Sequence, residues 1–224
     1  MAVDVYKRSI VVNGVTITLT KGSVLEQKVD VIVNAANEEL RGGGGIDGAI
    51  HQAAGHGLLH ELIEKYPNGI KTGDVAITGA HNLPLRYIFH TAGPVWRGGR
   101  HGEPELLRQC YQWSVDSAIA RRVRSLGFCS ISTGIYGYPI EEARHVALKA
   151  VVDYLVEMRN RGDFCDLKEI VFAMYTDNEY GAFAQVFGEY EKYDDKKLPL
   201  LTKIKRFFLL GMVARGHEEL VDGK

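Results

Sequence analysis

Apolar residues along the chain form short β-type runs that alternate with longer helical ones. The first two runs, within DVYKRSIVVNGVTITL, are rich in β-branched residues and are joined by Asn13-Gly14, a dipeptide typical of a tight hairpin. The next run, VDVIVNAA, is almost continuously apolar, which is typical of a strand buried on both faces. The pattern therefore begins with a predicted hairpin and continues with a predicted central strand.

Helices and strands are then predicted in alternation as far as Tyr190. Helical runs lie in GAIHQAAGHGLLHELIEKY, with a break at Gly55 and Gly57, in PELLRQCYQWSVDSAIARRV, with Pro104 near its first turn, in IEEARHVALKAVVDYLVEMRN, and from about Asn178 onward. Further strands are predicted in GDVAITGA, RYIFHTAG, LGFCSIS and LKEIVFAMY. This alternation predicts an α/β fold, in which helices cover both faces of a parallel sheet.

The composition changes beyond Tyr190. The segment KKLPLLTKIKRFFLLGMVAR holds six basic residues and no acidic one. One apolar stripe at helical spacing contains Leu201, Ile204, Phe208 and Met212. We therefore divide the chain into a domain over residues 1–190 and a basic amphipathic extension over residues 191–224, which is expected to pack on the domain. The alternative is a helix that binds a partner or a membrane surface.

Composition is that of an ordinary soluble globular protein. Of the 224 residues, 46% are hydrophobic and 25% are charged, and the formal net charge of -1 gives no overall attraction to nucleic acid. Cys110, Cys129 and Cys165 are too widely spaced for a disulfide framework or a zinc site, so reduced thiols are expected. The N-terminus has charges where a signal peptide needs apolar residues, and no run is long enough for a membrane span. These features predict a cytoplasmic protein.

The stretch VDVIVNAANEELRGGGGIDGAIHQAAG places four glycines directly before a predicted helix. Gly43, Gly45 and Gly48 spell the GxGxxG of dinucleotide-binding turns, but NAANEELR separates them from the strand, so an NAD-type site is remote. Backbone N–H groups at such a helix start can still face an anion. A second glycine-flanked turn, SISTGIYGYP, lies between another strand and another helix. Two such loops at strand ends predict a crevice for a phosphate-bearing ligand.

Asp47 follows the glycines and has two interpretations. As the N-cap of the next helix it would stabilise that helix by ~1 kcal/mol. A carboxylate beside a bound diphosphate is repelled by it, however, so a cap selected only for phosphate affinity would be serine or threonine. The second interpretation is a carboxylate directed at a sugar hydroxyl or a water molecule. The residues alone leave both interpretations open.

Two further features are expected to be structural. His51 has no second ligand at metal spacing, so we expect it to face the sheet without binding a metal. Trp96 begins a glycine-rich segment, GPVWRGGRHGE, which is predicted to be a surface loop, with a lid as the alternative.

Three blocks of the sequence resemble those of the macrodomain family in order and spacing. They are VDVIVNAANEELRGGGGIDGAIHQAAG, TGDVAITGAHNLPLRYIFHTAGPVW and SISTGIYGYPIEEA. The resemblance runs from about Val15 to Tyr190, and the nearest branch is that of the MacroD-type ADP-ribosyl hydrolases and O-acetyl-ADP-ribose deacetylases. It implies a three-layer α/β/α fold with a mixed, mostly parallel central sheet and ADP-ribose in a crevice at the strand ends.

The resemblance also implies roles for individual residues. Asp47 would be the catalytic carboxylate, and Asn37 would hydrogen-bond the distal ribose. Tyr136 would lie over the distal ribose, and Tyr175 would stack on adenine. The family usually has an aspartate where this chain has Ser23, so adenine selection is expected to be weaker by ~1 kcal/mol. The implied substrate-binding set is Ser23, Val24, Ala36, Gly43, Gly44, Gly45, Ile46, Ser132, Thr133, Gly134, Ile135, Tyr136 and Tyr175.

The function implied by the resemblance is hydrolysis at the distal ribose, without a metal or a cofactor. The substrates would be mono-ADP-ribosylated acidic side chains of proteins, O-acetyl-ADP-ribose, or both. Either Asp47 or the substrate's own phosphate would activate the water. The alternatives are a reader module that binds ADP-ribose without cleaving and an ADP-ribose-1''-phosphate phosphatase. Expected partners are ADP-ribose derivatives and modified proteins, with nucleic acid expected only as ADP-ribosylated ends.

Overall fold

The computed structural model describes residues 6–198, which form one α/β unit. Its strands are β1 (Lys7–Val12), β2 (Val15–Lys21), β3 (Val31–Ala36), β4 (Val75–Gly79), β5 (Tyr87–Ala92), β6 (Ser125–Phe128) and β7 (Glu169–Met174). Its α-helices are α1 (Gly45–Ala54), α2 (His56–Lys65), α3 (Glu103–Ala120), α4 (Ile140–Arg161) and α5 (Asp177–Phe187). Short 3-10 turns lie at Val24–Glu26, Gly188–Tyr193 and Asp195–Lys197.

The seven strands form one sheet in the order β1-β2-β7-β6-β3-β5-β4. The five inner strands run parallel, whereas β1 and β4 are antiparallel to their neighbours at the two edges. Helices α3, α4 and α5 pack on one face of the sheet, and α1 and α2 pack on the other. The predicted three-layer fold with a mixed, mostly parallel sheet is confirmed.

Strand β3 lies at the centre of this arrangement and is buried on both faces, as its apolar run predicts. Val31 and Val33 belong to the core under α3 to α5, whereas Ile32 belongs to the core under α1 and α2. This alternation follows from the two-residue period of a strand. The carboxyl end of β3 is therefore held rigidly at the middle of the sheet, where the loops after the parallel strands meet.

The predicted turns are confirmed, with one strand shorter than expected. Asn13 and Gly14 have φ values of 51° and 74°, as a tight hairpin turn requires, and Gly55 at φ 83° separates α1 from α2. Strand β6 ends at Phe128, so the predicted strand in LGFCSIS is wrong in its second half. The chain leaves the sheet after Phe128, and Ser132 has φ 66°, a left-handed value that a strand cannot accommodate.

The start of the predicted basic extension lies on the domain. Asp194 accepts a hydrogen bond from Val11 N at 3.3 Å, and Asp195 accepts one from Gly14 N at 2.8 Å. Residues 199–224 lie outside the described residues, so packing of the extension as a whole stays a prediction. Within residues 6–198, none of the helices has both the length and the apolar character needed to cross a bilayer.

Candidate active site

A cleft of about 470 Å³ opens at the carboxyl ends of the parallel strands. Segments that follow β2, β3, β5, β6 and β7 line it, which explains why residues distant in sequence meet there. The structure brings together on this cleft every site residue that the sequence predicts, namely Ser23, Val24, Ala36, Asn37, Gly43, Gly44, Gly45, Ile46, Asp47, Ser132, Thr133, Gly134, Ile135, Tyr136 and Tyr175. Their roles toward a ligand stay predictions.

Sequence reasoning missed several residues of the same cleft. They are Ala35, Gly93, Cys129, Ser130, Ala173, Thr176 and Glu179. Most of them directly follow or end a parallel strand. Ala35, Gly93, Cys129, Ser130 and Ala173 lie at or just after the carboxyl ends of inner strands, where an α/β sheet places its ligand crevice, so the predicted sheet already indicated this region.

The first loop, residues 37–47, is shaped by the side chain of Asn37. Asn37 Nδ2 donates to Gly42 O at 2.8 Å, and Asn37 Oδ1 accepts from Leu40 N at 2.9 Å. Both ends of this amide therefore hold the loop. An amide has two N–H groups and two acceptor lone pairs, so the side chain retains the capacity for the predicted contact with a sugar hydroxyl.

Glycine is required at two positions in and beside the first loop, because other atoms lie too close to leave room for a side chain. A methyl group at Gly48 would lie 2.5 Å from Gly43 O, inside the loop itself. A methyl group at Gly44 would lie 3.0 Å from Ile135 Cδ1, across the cleft. Helix α1 begins at Gly45, and no side chain caps its N-terminus. The first N–H groups of α1 are consequently not engaged by a capping side chain.

Asp47 lies in the first turn of α1 and does not cap the helix. The N-cap is Gly44, so the capping interpretation of Asp47 is wrong. Asp47 Oδ1 instead accepts a hydrogen bond from Asn34 Nδ2 at 2.6 Å, and the residue is only 4% exposed. Burial raises the pKa of the Asp47 carboxyl, and the Asn34 hydrogen bond and the nearby His51 offset this only in part. Asp47 is therefore a stronger base than an ordinary aspartate.

A chain of buried polar side chains lies beneath Asp47. Asn34 Nδ2 is 3.1 Å from His90 Nδ1, and His90 Nε2 is 3.0 Å from Thr78 Oγ1. All three residues are almost completely inaccessible to solvent. Burial, together with the charge of His51, lowers the pKa of His90 to about 3, so its ring is neutral. Sequence reasoning missed this chain, although each member is a polar residue inside an apolar strand run.

His51 lies one helical turn after Asp47, and sequence reasoning did not pair the two. His51 Nε2 is 3.5 Å from Asp47 Oδ1, and its ring is 6.4 Å from that of His90 on β5. The prediction that His51 faces the sheet is confirmed. Among residues 6–198, His, Cys, Asp and Glu form no group of three that could hold a metal ion. The arrangement is thus a carboxylate–imidazole pair at the floor of the first loop.

The second loop, residues 129–138, is held mainly by aromatic residues. Tyr111, completely buried, accepts a hydrogen bond from Ile131 N at its hydroxyl oxygen, at 3.2 Å. Trp96 N donates to Tyr136 O at 2.9 Å, and the Trp96 ring packs 4.5 Å from that of Tyr138. The backbone of this loop is therefore fixed from below and from one side.

Glu103 fixes the glycine-rich segment that begins at Trp96. Its carboxylate accepts hydrogen bonds from Arg97 N at 3.0 Å, Gly99 N at 3.2 Å and His101 N at 2.6 Å. Burial opposes the charge, but backbone donors outweigh it and lower the pKa of Glu103 to about 2. Opening or closing this segment would break three charge-assisted hydrogen bonds, which favours a fixed surface loop over a lid.

Comparison with known proteins places the chain in a family. Residues 33–147 match the family model of the Macro domain. A macro domain-containing protein of Caldanaerobacter subterraneus subsp. tengcongensis is 43% identical over 178 residues, which cover 79% of this chain and 98% of that protein. The chain belongs to the macrodomain family.

Other macrodomains resemble it in sequence and fold. A protein of Cronobacter turicensis named O-acetyl-ADP-ribose deacetylase is 38% identical over 79% of this chain and 98% of its own length. The Oceanobacillus iheyensis macrodomain with ADP is 35% identical, with a TM-score of 0.75 over 82% of this chain and 95% of that one. The Trypanosoma brucei macrodomain in complex with ADP-ribose is 40% identical, with a TM-score of 0.68 over 77% of this chain and 69% of that one.

The rim of the cleft in this macrodomain carries two exposed apolar side chains. Ile135 is 78% exposed and Tyr175 is 74% exposed. Large apolar groups beside a concave site are typical of ligand contacts. Nearby on the cleft wall, Ser23 Oγ accepts a hydrogen bond from Leu25 N at 3.2 Å and caps the following 3-10 turn. The Ser23 hydroxyl therefore has a structural role that is independent of any ligand.

Proposed function

We propose that this macrodomain binds ADP-ribose derivatives in the cleft and hydrolyses them at the distal ribose. The substrates are ADP-ribose esters on acidic protein side chains, O-acetyl-ADP-ribose, or both. The observation that carries the proposal is the buried Asp47 carboxylate, with its raised pKa, beside a glycine loop in a macrodomain cleft. The related structures with ADP and ADP-ribose, and the relative named as a deacetylase, support the ligand and the reaction class.

Backbone groups of both loops hold the diphosphate in this proposal. Helix α1 begins at Gly45 without a side-chain cap, so its N–H groups and its dipole favour an anion there. Ser132, Thr133 and Gly134 supply further donors from the second loop. Such fixed donors hold the distal ribose in place relative to the reacting water, and this positioning itself accelerates the reaction.

Four side chains recognise the rest of the ligand. Tyr175, exposed on the rim, stacks on the adenine ring, and Tyr136 covers the distal ribose. Asn37 binds the ribose hydroxyls with the one N–H group and the one lone pair not used in the loop. Ser23 accepts the adenine amine more weakly than a carboxylate would.

Asp47 is the base in the proposed reaction. It removes a proton from a water molecule held near the anomeric carbon, and the resulting hydroxide attacks that carbon. The bond from the anomeric carbon to the carboxyl oxygen of the modified side chain breaks, and Asp47 returns the proton to the departing carboxylate, so that a carboxylic acid and free ADP-ribose are released. A base with a raised pKa draws the proton more strongly than the weakly basic oxygens of the diphosphate, which favours Asp47 over substrate assistance.

The test is release of ADP-ribose from a mono-ADP-ribosylated glutamate substrate, with ADP-ribose affinity measured in parallel. Asp47→Ala is expected to reduce turnover at least ~100-fold, the usual contribution of a general base, while affinity is retained. Glu39→Ala is the matched control, because Glu39 is an exposed carboxylate that acts electrostatically on Tyr136 but does not line the cleft. Its turnover should stay near that of the wild type.

Other outcomes would select an alternative. Tight binding of ADP-ribose without turnover by the wild type would overturn hydrolysis and establish a reader. Release of phosphate from ADP-ribose-1''-phosphate, with no cleavage of either ester, would establish the phosphatase.

A further inference from the structure

We propose that Asn34 and His90 are positioning residues for Asp47, linked to it by hydrogen bonds in a chain that ends at Thr78. The proposal rests on the proposed function, in which Asp47 is the base. Neither residue lines the cleft, so neither contacts a ligand directly. They determine which carboxylate oxygen of Asp47 accepts the Asn34 hydrogen bond, and they stabilise the ionised form of Asp47.

The hydrogen-bond chemistry gives the chain one direction. An amide nitrogen is only a donor, so at 3.1 Å from Asn34 Nδ2 the His90 Nδ1 atom must accept. Because the His90 ring is neutral, its one proton lies on Nε2, which donates to Thr78 Oγ1 at 3.0 Å. The Asn34 amide is then fixed with its nitrogen toward both His90 and Asp47. The opposite orientation would place the Asn34 carbonyl oxygen against a carboxylate.

Strand register explains why these residues meet. Asn34 on β3 stands directly beside His90 on β5 in the parallel ladder. His90 is paired in turn with Ala76 on β4, and Thr78 lies two residues farther along that strand. Neighbouring strands are about 4.8 Å apart, which short polar side chains can span. The chain thus runs across three strands of the sheet, under α1.

The chain has two consequences for Asp47. Asn34 occupies Asp47 Oδ1, whereas Oδ2 lies toward the first loop, where a methyl group on Gly43 would come within 3.1 Å of it. The oxygen near the cleft is therefore the one left for the water molecule. The Asn34 hydrogen bond also offsets part of the burial that opposes ionisation of Asp47.

Stability alone gives little reason for this chain. Asn34 Oδ1 is buried without a hydrogen-bond partner among residues 6–198, and such an atom costs free energy. Apolar residues of similar shape would avoid that cost. A polar chain that is incompletely satisfied and ends at the candidate base is best explained by its effect on that base.

Several titratable groups surround the chain. His51 acts on both Asp47 and His90, and Glu61 and His81 act on His90 from α2 and from the turn after β4. Tyr136 and Cys129 are affected by the charge of Asp47 from the second loop. A change in the pH profile must therefore be assigned to Asp47 by direct observation of its carboxyl group.

The experiment compares Asn34→Leu, His90→Leu and His90→Asn, with Thr91→Val as the matched control. The Thr91 hydroxyl is also buried on β5 and donates to Asp74 O at 2.9 Å, but it has no link to Asp47. Asparagine at position 90 can offer its oxygen where His90 Nδ1 accepts, so His90→Asn should rescue the function lost in His90→Leu. This rescue separates the hydrogen bond from the volume of the ring.

Two readouts are measured on each full-length protein: the kcat and KM of ester hydrolysis, and the titration of the Asp47 carboxyl carbon by NMR. Loss of a hydrogen bond to a charged group should lower kcat about tenfold in Asn34→Leu, with KM little changed. The pKa of Asp47 should rise further, and the acid limb of the rate profile should move to higher pH. Thr91→Val should change neither.

An unchanged Asp47 titration in both leucine variants would overturn the proposal, as would equal effects of Thr91→Val. If Asn34→Leu does not fold, the His90→Leu and His90→Asn pair decides the question. NMR titration does not depend on turnover. A wild type without hydrolytic activity would therefore refute the proposed function while leaving the link between Asn34, His90 and Asp47 open to direct measurement.

Discussion

The first loop and the second loop line the same cleft but rest on different supports. Beneath the first loop, the buried side chains of Asn34 and His90 form hydrogen bonds that lead to Asp47. Beneath the second loop lie aromatic rings, with Tyr111 and Phe128 at a centroid distance of 5.0 Å. Polar side chains beneath a loop can fix the position of a carboxylate and change its pKa, whereas packed aromatic rings fix the path of the loop backbone.

The two loops also differ in the carboxylate that each depends on. Asp47 has a raised pKa, because its burial is only partly compensated. Glu103, which fixes the segment adjoining the second loop, has a lowered pKa, because backbone N–H groups surround it. In the proposed function, the first loop thus contributes the base as well as anion-binding N–H groups, at a cost in stability, whereas the second loop contributes binding groups on a stable support.

The largest effect expected from a change in packing comes from adding one methyl group at Gly48 on α1, which packs against the first loop, or at Gly93 after β5, which packs against the second. In Gly48→Ala the new carbon would lie 2.5 Å from Gly43 O, so the first loop must shift by nearly an ångström. We expect kcat to fall about 100-fold, because misplacement of this size disturbs the reacting geometry. ADP-ribose affinity, measured by calorimetry, should fall much less.

Gly93→Ala is the counterpart for the second loop. Its new methyl group would lie 2.7 Å from Ile131 Cγ2 and would also overlap the Ser132 side chain. Here the affinity for ADP-ribose should fall about tenfold, in line with the cost of overpacking, while kcat at saturation is largely kept. If both variants lose affinity and kcat to the same degree, the proposal that the two loops contribute differently to binding and catalysis is wrong.

A smaller effect is expected from Tyr111→Phe. This change leaves the buried Ile131 N–H without the hydroxyl that accepts it, which should cost about 1–3 kcal/mol of unfolding free energy. Urea denaturation measures this cost. Phe128 makes no such hydrogen bond through its ring, so Phe128→Leu serves as a packing control. ADP-ribose binding should weaken in Tyr111→Phe more than in a control of equal stability.

The two carboxylates should respond to pH with opposite signs. Because the folded state raises the pKa of Asp47, its ionised form opposes folding. This cost begins to fall as pH drops through the raised pKa and is gone below the ordinary value of 3.8. Glu103 has a folded pKa lowered from 4.5 to about 2, so its contribution is complete above pH 4.5 and is lost as pH falls toward 2. Lowering the pH should therefore remove the destabilisation caused by ionised Asp47 at the first loop. It should also remove the stabilisation provided by ionised Glu103 near the second loop.

Thermal unfolding at neutral pH tests this contrast. Asp47→Asn should raise the melting temperature while abolishing turnover, because an amide can still accept from Asn34 without a buried charge. Glu103→Gln should lower the melting temperature by several degrees, and the difference from wild type should shrink in acid. A lower melting temperature for Asp47→Asn at pH 7 would contradict the conclusion that the ionised Asp47 carboxylate opposes folding.

Sequence patterns predicted the elements well because those patterns are local. The Asn13-Gly14 turn, the glycine break before α2 and the fully apolar β3 run each depend on neighbours within a few residues. The failure at the end of β6 is also instructive. CSIS has strand-like composition, but the left-handed backbone at Ser132 and the hydrogen bond from Ile131 to Tyr111 draw it out of the sheet.

The candidate site was predicted only in part, for a different reason. The cleft residues lie in contiguous blocks, so resemblance to the macrodomains identified them. Asn34, His90 and Thr78 lie on three strands that are far apart in sequence, and their contact depends on the order β3-β5-β4 and on the register. Neither can be derived from periodicity. The link from Asp47 to His51, by contrast, follows from i,i+4 spacing and was available in the sequence.

The smallest expected effect concerns Ser23, at the position where the resemblance implies an aspartate. The Ser23 hydroxyl already accepts from Leu25 N, so it offers an adenine amine only a neutral and partly used acceptor. Ser23→Asp should increase the preference for ADP-ribose over inosine diphosphate ribose by ~1 kcal/mol, about fivefold in the ratio of dissociation constants. Turnover should not change, because Ser23 is remote from Asp47 in the proposed binding mode. Strong discrimination by the wild type, left unaltered in Ser23→Asp, would mean that another group on the cleft recognises the adenine amine.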